Sequence, residues 1–381
     1  MLVSRRTGWC ARSRWLYSAA TRNRNSFEHR PIPERIYLDH AATTPLRPEA
    51  RAAMEEGFGI WANPSSPHAE GRKAKAALED ARARVKAALG WEGEVIFTSG
   101  ASEALAIALQ RAMADRRIVS AVEHDAVFRA APDAEVLPVL AGEIDPGALD
   151  AALERPGHAV VAVQQVNPET GTLVLPAQGD TLQSRVREAG GLLLADCSQS
   201  VGKLPLPDAD MAVVSAHKLG GPVGVGALLT RDFAMLEPIG GHERGYRAGT
   251  ENLPAILGFA AALEAGGPGG WATTEAQRQS FAAALADRRV TPGAVQCAHI
   301  LALAHPTLSA QALLIRLDAI GFAVSAGSAC SSGTLKKSRV LEAFGVDDET
   351  AARTIRVSLG WSTTPGELDR FVEAWARLAS A

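Results

Sequence analysis

Five short apolar runs in this chain stop abruptly in polar side chains. Val95-Ile96-Phe97 runs into Thr98-Ser99-Gly100-Ala101-Ser102-Glu103, and Ile118-Val119 leads to Glu123-His124. The run 159–163 leads to Asn167-Pro168-Glu169-Thr170-Gly171, and Leu192-Leu193-Leu194 leads to Asp196-Cys197-Ser198-Gln199-Ser200. The last, 211–214, ends in Ser215-Ala216-His217-Lys218. Strands of this kind alternating with helical spacing predict an α/β fold, a mostly parallel sheet covered by helices on both faces. Ligands bind such sheets beyond the carboxyl ends of the strands. The punctuation therefore places His124, Asn167, Asp196, Gln199 and Lys218 around one crevice.

Around this core the chain divides readily. Ordered structure is expected from Ile36-Tyr37-Leu38-Asp39, followed by a turn, His40-Ala41-Ala42-Thr43-Thr44-Pro45, that Pro45 pushes out of helix. A helix is expected near 48–58. The polar loop Asn63-Pro64-Ser65-Ser66-Pro67-His68 then opens a long helix in which Leu78, Val85 and Leu89 recur and which Gly90 stops. Further helices are expected near 182–189 and 253–265, and the Gly-Gly-Pro-Gly-Gly run at 266–270 reads as a linker. Residues 1–34 form a basic extension, 35–265 a large domain, and 266–381 a smaller α+β domain. The last includes a helix near 310–319, a strand at 322–324, the small-residue loop Ser325-Ala326-Gly327-Ser328-Ala329-Cys330-Ser331-Ser332-Gly333, a strand at 355–359 and a final helix opening at Thr364-Pro365.

Composition excludes several classes of function. In 381 residues, 47% hydrophobic and 21% charged, a net charge of −3 provides no field to draw in nucleic acid or an anionic membrane. No apolar run reaches the length of a membrane span. Cys10, Cys197, Cys297 and Cys330 are far apart and form no C-x-x-C pair, so neither a metal site nor a disulfide framework is indicated. A reducing compartment fits, and the cytoplasm is the expected location. The first 27 residues carry Arg5, Arg6, Arg12, Arg14, Arg22 and Arg24 and no acid. That composition has the character of a mitochondrial transit peptide, which would place the chain in the matrix. The Ala/Arg/Gly bias of the remainder favours instead a basic extension or an upstream start codon.

A lysine at a strand end, facing an aspartate that closes another strand, suits pyridoxal phosphate. The Lys218 amine forms the Schiff base, and Asp196 keeps the pyridine nitrogen protonated so that the ring acts as an electron sink. Ser102, at a helix start after Gly100, offers the phosphate a hydroxyl, backbone N–H groups and the helix dipole, and Ser215 and His217 complete that cup. His124 is placed to stack on the ring and shuttle protons, Gln199 to bond the ring hydroxyl, and Asn167 to hold the ring or the substrate. Arg356 lies in an apolar strand and needs an anion. Either a substrate α-carboxylate or an internal acid satisfies it. Cys330, among Gly, Ser and Ala, suits a nucleophile that carries a group.

Tyr37-Leu-Asp-His-Ala-Ala-Thr-Thr-Pro45, Asn63-Pro-Ser-Ser-Pro-His68, Thr98-Ser-Gly-Ala-Ser-Glu103, Glu123-His124, Asn167-Pro-Glu169, Asp196-Cys-Ser-Gln-Ser200, Ser215-Ala-His-Lys218, Arg244-Gly-Tyr-Arg-Ala-Gly-Thr-Glu-Asn252 and Ser325-Ala-Gly-Ser-Ala-Cys330 occur in that order. Together they resemble the cysteine desulfurases of the NifS/IscS kind, within the class V aminotransferase family, from about residue 35 onward. The resemblance implies a fold-type I homodimer. Lys218 would carry the cofactor, with its phosphate held by Ala101, Ser102, Ser215 and His217 of one subunit and Thr250 of the other. L-Cysteine would be anchored by Arg356 and Asn167, and Cys330 would take its sulfur as a persulfide, releasing alanine. The persulfide then reaches an iron–sulfur scaffold or another sulfur carrier. Asn167-Pro-Glu stands where Asn-Asn-Glu is usual, and the scaffold-engaging tail of housekeeping relatives does not follow the last helix, which leaves the acceptor open. Other readings of the same residues are a selenocysteine lyase, an aminotransferase, or a non-catalytic sulfur relay on this fold.

Overall fold

The computed structural model describes residues 35–176, 182–327 and 337–380; the expectations for residues 1–34 and for Cys330 lie outside them. In chain order the first elements are β1 (Ile36–Tyr37), α1 (Pro48–Phe58), α2 (Ala69–Leu89), β2 (Glu94–Thr98), α3 (Ala101–Arg111), β3 (Arg116–Ser120) and α4 (Asp125–Ala130). There follow β4 (Glu135–Leu137), a hairpin of β5 (Val139–Leu140) and β6 (Glu143–Ile144), α5 (Pro146–Leu153), β7 (Ala159–Gln164) and α6 (Leu182–Glu188). Next come β8 (Leu192–Asp196), β9 (Met211–Ser215), β10 (Gly226–Thr230), α7 (Leu253–Glu264), α8 (Glu275–Ala284), β11 (Ile300–Ala304) and α9 (Ala310–Ala319). The last are β12 (Phe322–Ala323), α10 (Arg339–Ala343), α11 (Asp348–Ala352), β13 (Thr354–Ser358) and α12 (Pro365–Ala379).

Among the described residues the main sheet has the order β2-β10-β9-β8-β7-β3-β4. All neighbours are parallel except β10, which runs antiparallel to both β2 and β9. The reversal follows from chain length. Between β9 and β10 lie only a single 3₁₀ turn at Ala216–Lys218 and a glycine-rich loop. A parallel return needs a crossover of about a dozen residues or more, usually built on a helix. Alternate residues of each strand feed two cores, one on each face. Val161, Val163, Leu193 and Val214 join Leu78 and Val85 of α2, Leu149 of α5 and Phe259 of α7. Val160, Ala162, Leu194 and Val213 join Leu105 and Leu109 of α3 and Val127 of α4. Burial on both faces is why these strands read as unbroken apolar runs.

Local chemistry sets the helix ends. His68 caps α2 by accepting the Gly71 N–H at 3.2 Å, and Gly90, at φ 62°, ends that helix in the left-handed region. The polar loop before α2 is thus a helix cap. A capping box between Thr364 and Glu367, with Pro365 in the first turn, opens α12.

A further core lies around the antiparallel pair β11–β13, with Leu301, Leu303, Leu313, Phe322, Ile355, Val357, Phe371 and Trp375 buried together. Ile36 and Leu38 belong to this core, since β1 pairs in parallel with β12. The amino-terminal boundary expected at residue 35 therefore starts inside the carboxy-terminal core and crosses to the main sheet after Asp39. The described residues from Arg35 onward belong to one compact unit.

Candidate active site

The carboxyl ends of β2, β3, β7, β8 and β9 all point to one edge of the sheet. A cavity of about 330 Å³ opens there, lined by Ala101, Ser102, His124, Gln164, Pro168, Asp196, Gln199, Ser215, His217 and Lys218 among others. The α3 N-terminus points its first amides at it from just after Gly100. Gly226 must be glycine here, because a Cβ on β10 would sit 2.9 Å from the Gly100 backbone.

Lys218 donates through Nζ to the carbonyls of Ala41 (2.5 Å) and Ala42 (3.0 Å). Burial, assisted by the positive Arg356, pushes its ammonium down to about 8, so a useful fraction of the amine is neutral near neutral pH. His217 contacts Thr43 Oγ1 at 3.2 Å, and burial with the neighbouring Lys218 and Lys203 brings its imidazole down to about 4. His124 caps α4 by accepting the Ala126 N–H on Nδ1 at 3.1 Å. Burial holds its pKa low, against the opposing field of Asp196. With Nδ1 engaged as an acceptor, the neutral ring carries its proton on Nε2. Asp196 accepts both the N–H (2.9 Å) and the hydroxyl (2.5 Å) of Ser198 on Oδ1. Gln199 gives Nε2 to the Ala41 carbonyl at 2.9 Å, while its Oε1 is buried without a partner. The adjacent Cys197 is buried and its thiol is pushed well above its ordinary value, an inert packing residue.

Three expected site residues lie outside the cavity wall. Asn167 is fully buried, and its Oδ1 accepts from the N–H groups of Glu169 (2.9 Å) and Thr170 (3.0 Å) and from the Thr170 hydroxyl (3.2 Å). Its amide faces Val122 O at 3.4 Å, so the side chain fixes its own turn rather than facing the cavity. Arg356 takes the internal acid: Nη2 pairs with Asp39 Oδ1 at 2.8 Å and Nη1 donates to Pro168 O at 3.1 Å. Its Nε is buried without a partner. Thr250 is exposed on its own chain.

Sequence reasoning assigned no role to three residues at this edge. Glu123 is fully buried, accepts from Ser120 Oγ (2.7 Å) and Gln164 N (2.9 Å), and burial raises its carboxyl to about 8. Lys203, brought down to about 7 by burial, shares a small cleft with Lys218. Glu169 lies in the Asn167 turn beside Pro168. The sequence signal for Glu123 and Glu169 was their place in strand-end polar clusters, but the clusters do not reveal which side chains turn inward.

The residues present fit pyridoxal phosphate. The cavity joins a helix N-terminus and hydroxyls for a phosphate, an amine of lowered pKa, a strand-end carboxylate and the orphaned Gln199 oxygen. The family model described as aminotransferase class V matches residues 36–371. The chain belongs to the class V aminotransferase family. Among class V relatives, it is 39% identical to a cysteine desulfurase of Cereibacter sphaeroides, across 89% of this chain and 94% of that one. It is 38% identical to a cysteine desulfurase of Rhodobacter capsulatus, across 88% and 94%. Among solved structures, a NifS-like protein from Rickettsia africae superposes with a TM-score of 0.79 at 27% identity, covering 91% of this chain and all of the other. A structure described as SspA in complex with cysteine gives 0.72 at 28% identity, covering 86% of this chain.

Proposed function

We propose that this class V enzyme is a pyridoxal-phosphate-dependent cysteine desulfurase that converts L-cysteine to L-alanine and leaves the sulfur on Cys330 as a persulfide. The observation that carries the reading is the meeting of Lys218, Asp196 and His124 in one cavity whose Gln199 oxygen lacks a partner. The balance is internal. The Cys330 thiol gains one sulfur atom, the carbon–sulfur bond of cysteine is replaced by carbon–hydrogen, and no outside oxidant is needed.

When bound, pyridoxal phosphate supplies an electron sink for bonds at the amino acid's α-carbon. Lys218 would hold it covalently through Nζ, Asp196 would set the charge at its ring nitrogen, and Gln199 would bond its ring hydroxyl. Ala101, Ser102, Ser215 and His217 would hold the phosphate, and Thr250, exposed on its own chain, would reach it from a second copy of the chain. His124 holds a proton at Nε2 and exchanges it with the substrate. Arg356 would anchor the substrate carboxylate, with Asp39 keeping its guanidinium in place, and Asn167 would act through the turn it fixes. Cys330 accepts the sulfur and passes it to an iron–sulfur scaffold or another sulfur-carrier protein.

We assign the chain to the cytoplasm, a reducing setting that suits the free, buried Cys197 and Cys297. Among the described residues no helix is long and apolar enough to cross a membrane.

The test measures visible absorbance and alanine formation from L-cysteine in wild type, Lys218→Ala and Cys330→Ala. Wild type should be yellow and form alanine, Lys218→Ala should lose the visible band, and Cys330→Ala should keep the band but release no sulfide. Alanine and sulfide output indifferent to Cys330 would leave the family standing and move the reading to a lyase or aminotransferase.

A further inference from the structure

The loop from Gly240 to Asn252 carries Thr250, and it takes its shape from a buried carboxylate. Of the three non-glycine residues at positive φ among the described residues, Glu243 (47°) and Arg244 (57°) stand side by side in this loop. Residues with a Cβ hold such a course only where surrounding contacts impose it. Glu243 supplies those contacts. Its side chain is fully buried; Oε2 accepts from Arg82 Nη1 at 2.7 Å and from the Phe97 N–H at 2.8 Å, and Oε1 accepts from Arg82 Nη2 at 3.0 Å. Arg82, on α2, also donates to Val95 O at 2.6 Å and lies over the Phe97 ring at 4.8 Å. Val95 and Phe97 belong to β2, at the end of the sheet order, so the ion pair takes up polar groups on the outer edge of that strand.

From Glu243 the hold passes to Thr250 through two neighbours. His242, next to Glu243, donates through Nδ1 to Glu251 Oε2 at 3.2 Å, and Glu251 is next to Thr250. Within the turn, His242 O accepts the Gly245 N–H at 2.9 Å and the Arg247 N–H at 3.3 Å. Tyr246 anchors the middle: its ring stacks on Phe233 at 4.8 Å and its hydroxyl donates to Phe233 O at 3.0 Å. Asn252 closes the loop by capping α7, its Oδ1 accepting from Ala255 N at 3.3 Å. Thr250 stays exposed in a loop whose backbone is tied down on both sides of it.

We propose that Arg82 and Glu243 are positioning residues for the active site of a second copy of the chain: the buried pair holds the loop in its strained course, so that Thr250 is presented to the cofactor phosphate bound in that copy. The proposal rests on the reading of Thr250 as a phosphate ligand donated between copies. Its rival is that the pair only closes the edge of its own sheet. The two differ in whose site suffers when the pair is broken, and mixed dimers separate them.

The test uses hybrid dimers of two differently tagged full-length chains that together keep a single Lys218, so that one visible Schiff-base band reports one site. In the separate arrangement Lys218→Ala is on one chain and Glu243→Gln on the other, and the surviving lysine receives an unaltered loop. In the joint arrangement both substitutions are on one chain beside a wild-type chain, and the surviving lysine receives the altered loop. Cofactor-free hybrids are titrated with pyridoxal phosphate. The separate arrangement should bind within about twofold of a hybrid carrying Lys218→Ala alone, and the joint one about tenfold more weakly, the scale of one hydrogen bond to a charged group. Thr250→Ala in place of Glu243→Gln should give the same pattern, and combining the two on one chain should add little. His242→Ala, which spares the buried pair, should give the pattern at smaller size.

Equal affinities in the two arrangements, or a loss confined to the separate one, would overturn the proposal while Thr250→Ala keeps its pattern, and would leave the pair serving its own subunit. If Glu243→Gln prevents assembly, His242→Ala decides, and equal affinities there overturn the proposal as well. A Thr250→Ala loss that stays with its own chain, or a chain that is monomeric, overturns the reading of Thr250 and this proposal with it.

Discussion

The two ends of the main sheet each carry a cavity, and the larger one is not the site we assign. At the amino end a groove of about 650 Å³ lies between Arg116, Arg117, Arg155, Asp115, Asp133 and Glu135, twice the volume of the cavity of about 330 Å³ that holds Lys218. Its arginines are already matched. Arg116 donates to the carbonyls of Ala152 (2.8 Å) and Arg155 (3.0 Å), Arg117 to those of Leu109 and Ala114 (2.8 Å each), and Arg155 to Glu135 at 2.7 Å. At the carboxyl end burial holds an amine and two imidazoles toward their neutral forms, and a buried amide oxygen, Gln199 Oε1, has no donor. The same strands thus end in charged ion-paired structure on one side and in groups held near neutrality by burial on the other. Size is a poor guide to function here, and titratable groups shifted by burial are a better one.

The sharpest way to break this contrast is to remove a group from each end. His124→Ala should lower alanine formation by about 10²–10⁴-fold, the usual worth of a positioned proton donor, with cofactor content retained. A loss under tenfold would take the proton-transfer role from His124. Next in size is Glu123→Gln, read through stability. Because burial raises the folded carboxyl to about 8 from the ordinary 4.5, the native state binds this proton more tightly than the unfolded chain. That contribution is complete below about pH 4.5 and is lost as pH rises through about 8, so wild type should lose a few kcal/mol across this window that Glu123→Gln keeps. Melting temperatures from pH 5 to 8.5 for both proteins measure it, and parallel profiles would show that Glu123 does not titrate there. Smallest is Arg116→Ala at the amino end, which strips the bonds to the Ala152 and Arg155 carbonyls and should cost about 1–3 kcal/mol of stability. Its turnover per folded molecule should match wild type; a drop in turnover would mean that the amino end is more than scaffold.

Much of this was legible in the sequence, for a physical reason. Strands covered on both faces must be apolar throughout, so the point where each run turns polar marks the edge of the sheet, and Asp196, Lys218 and His124 sit just where the punctuation put them. The antiparallel course of β10 was not read, although the short glycine-rich stretch after Lys218 is too brief for a helical crossover. Arg356 was recognisable as an arginine in need of an anion, but Asp39 lies 317 positions away and nothing local announces it. Asn167 reads as a ring or substrate ligand from its place at a strand end, whereas its oxygen is consumed by three donors of its own turn. Glu123 and Glu169 stood beside the residues that were singled out, and only the folded backbone shows that both point inward. Cys330 lies outside the described residues, and its role rests on the sequence and on the family.

The pairing of β1 with β12 and the contact of Asp39 with Arg356 also impose an order in time. A ribosome adding about 5–20 residues per second makes Arg356 some quarter of a minute to a minute after Asp39. The carbonyls of Ala41 and Ala42 that receive Lys218 hang from the stretch awaiting those late partners. The main sheet can gather its strands while synthesis continues, but the lysine's cradle is secured only when the carboxy-terminal core arrives. Capture of a cofactor by the nascent chain should accordingly be a late event, one that reports completion of the polypeptide rather than collapse of its first half.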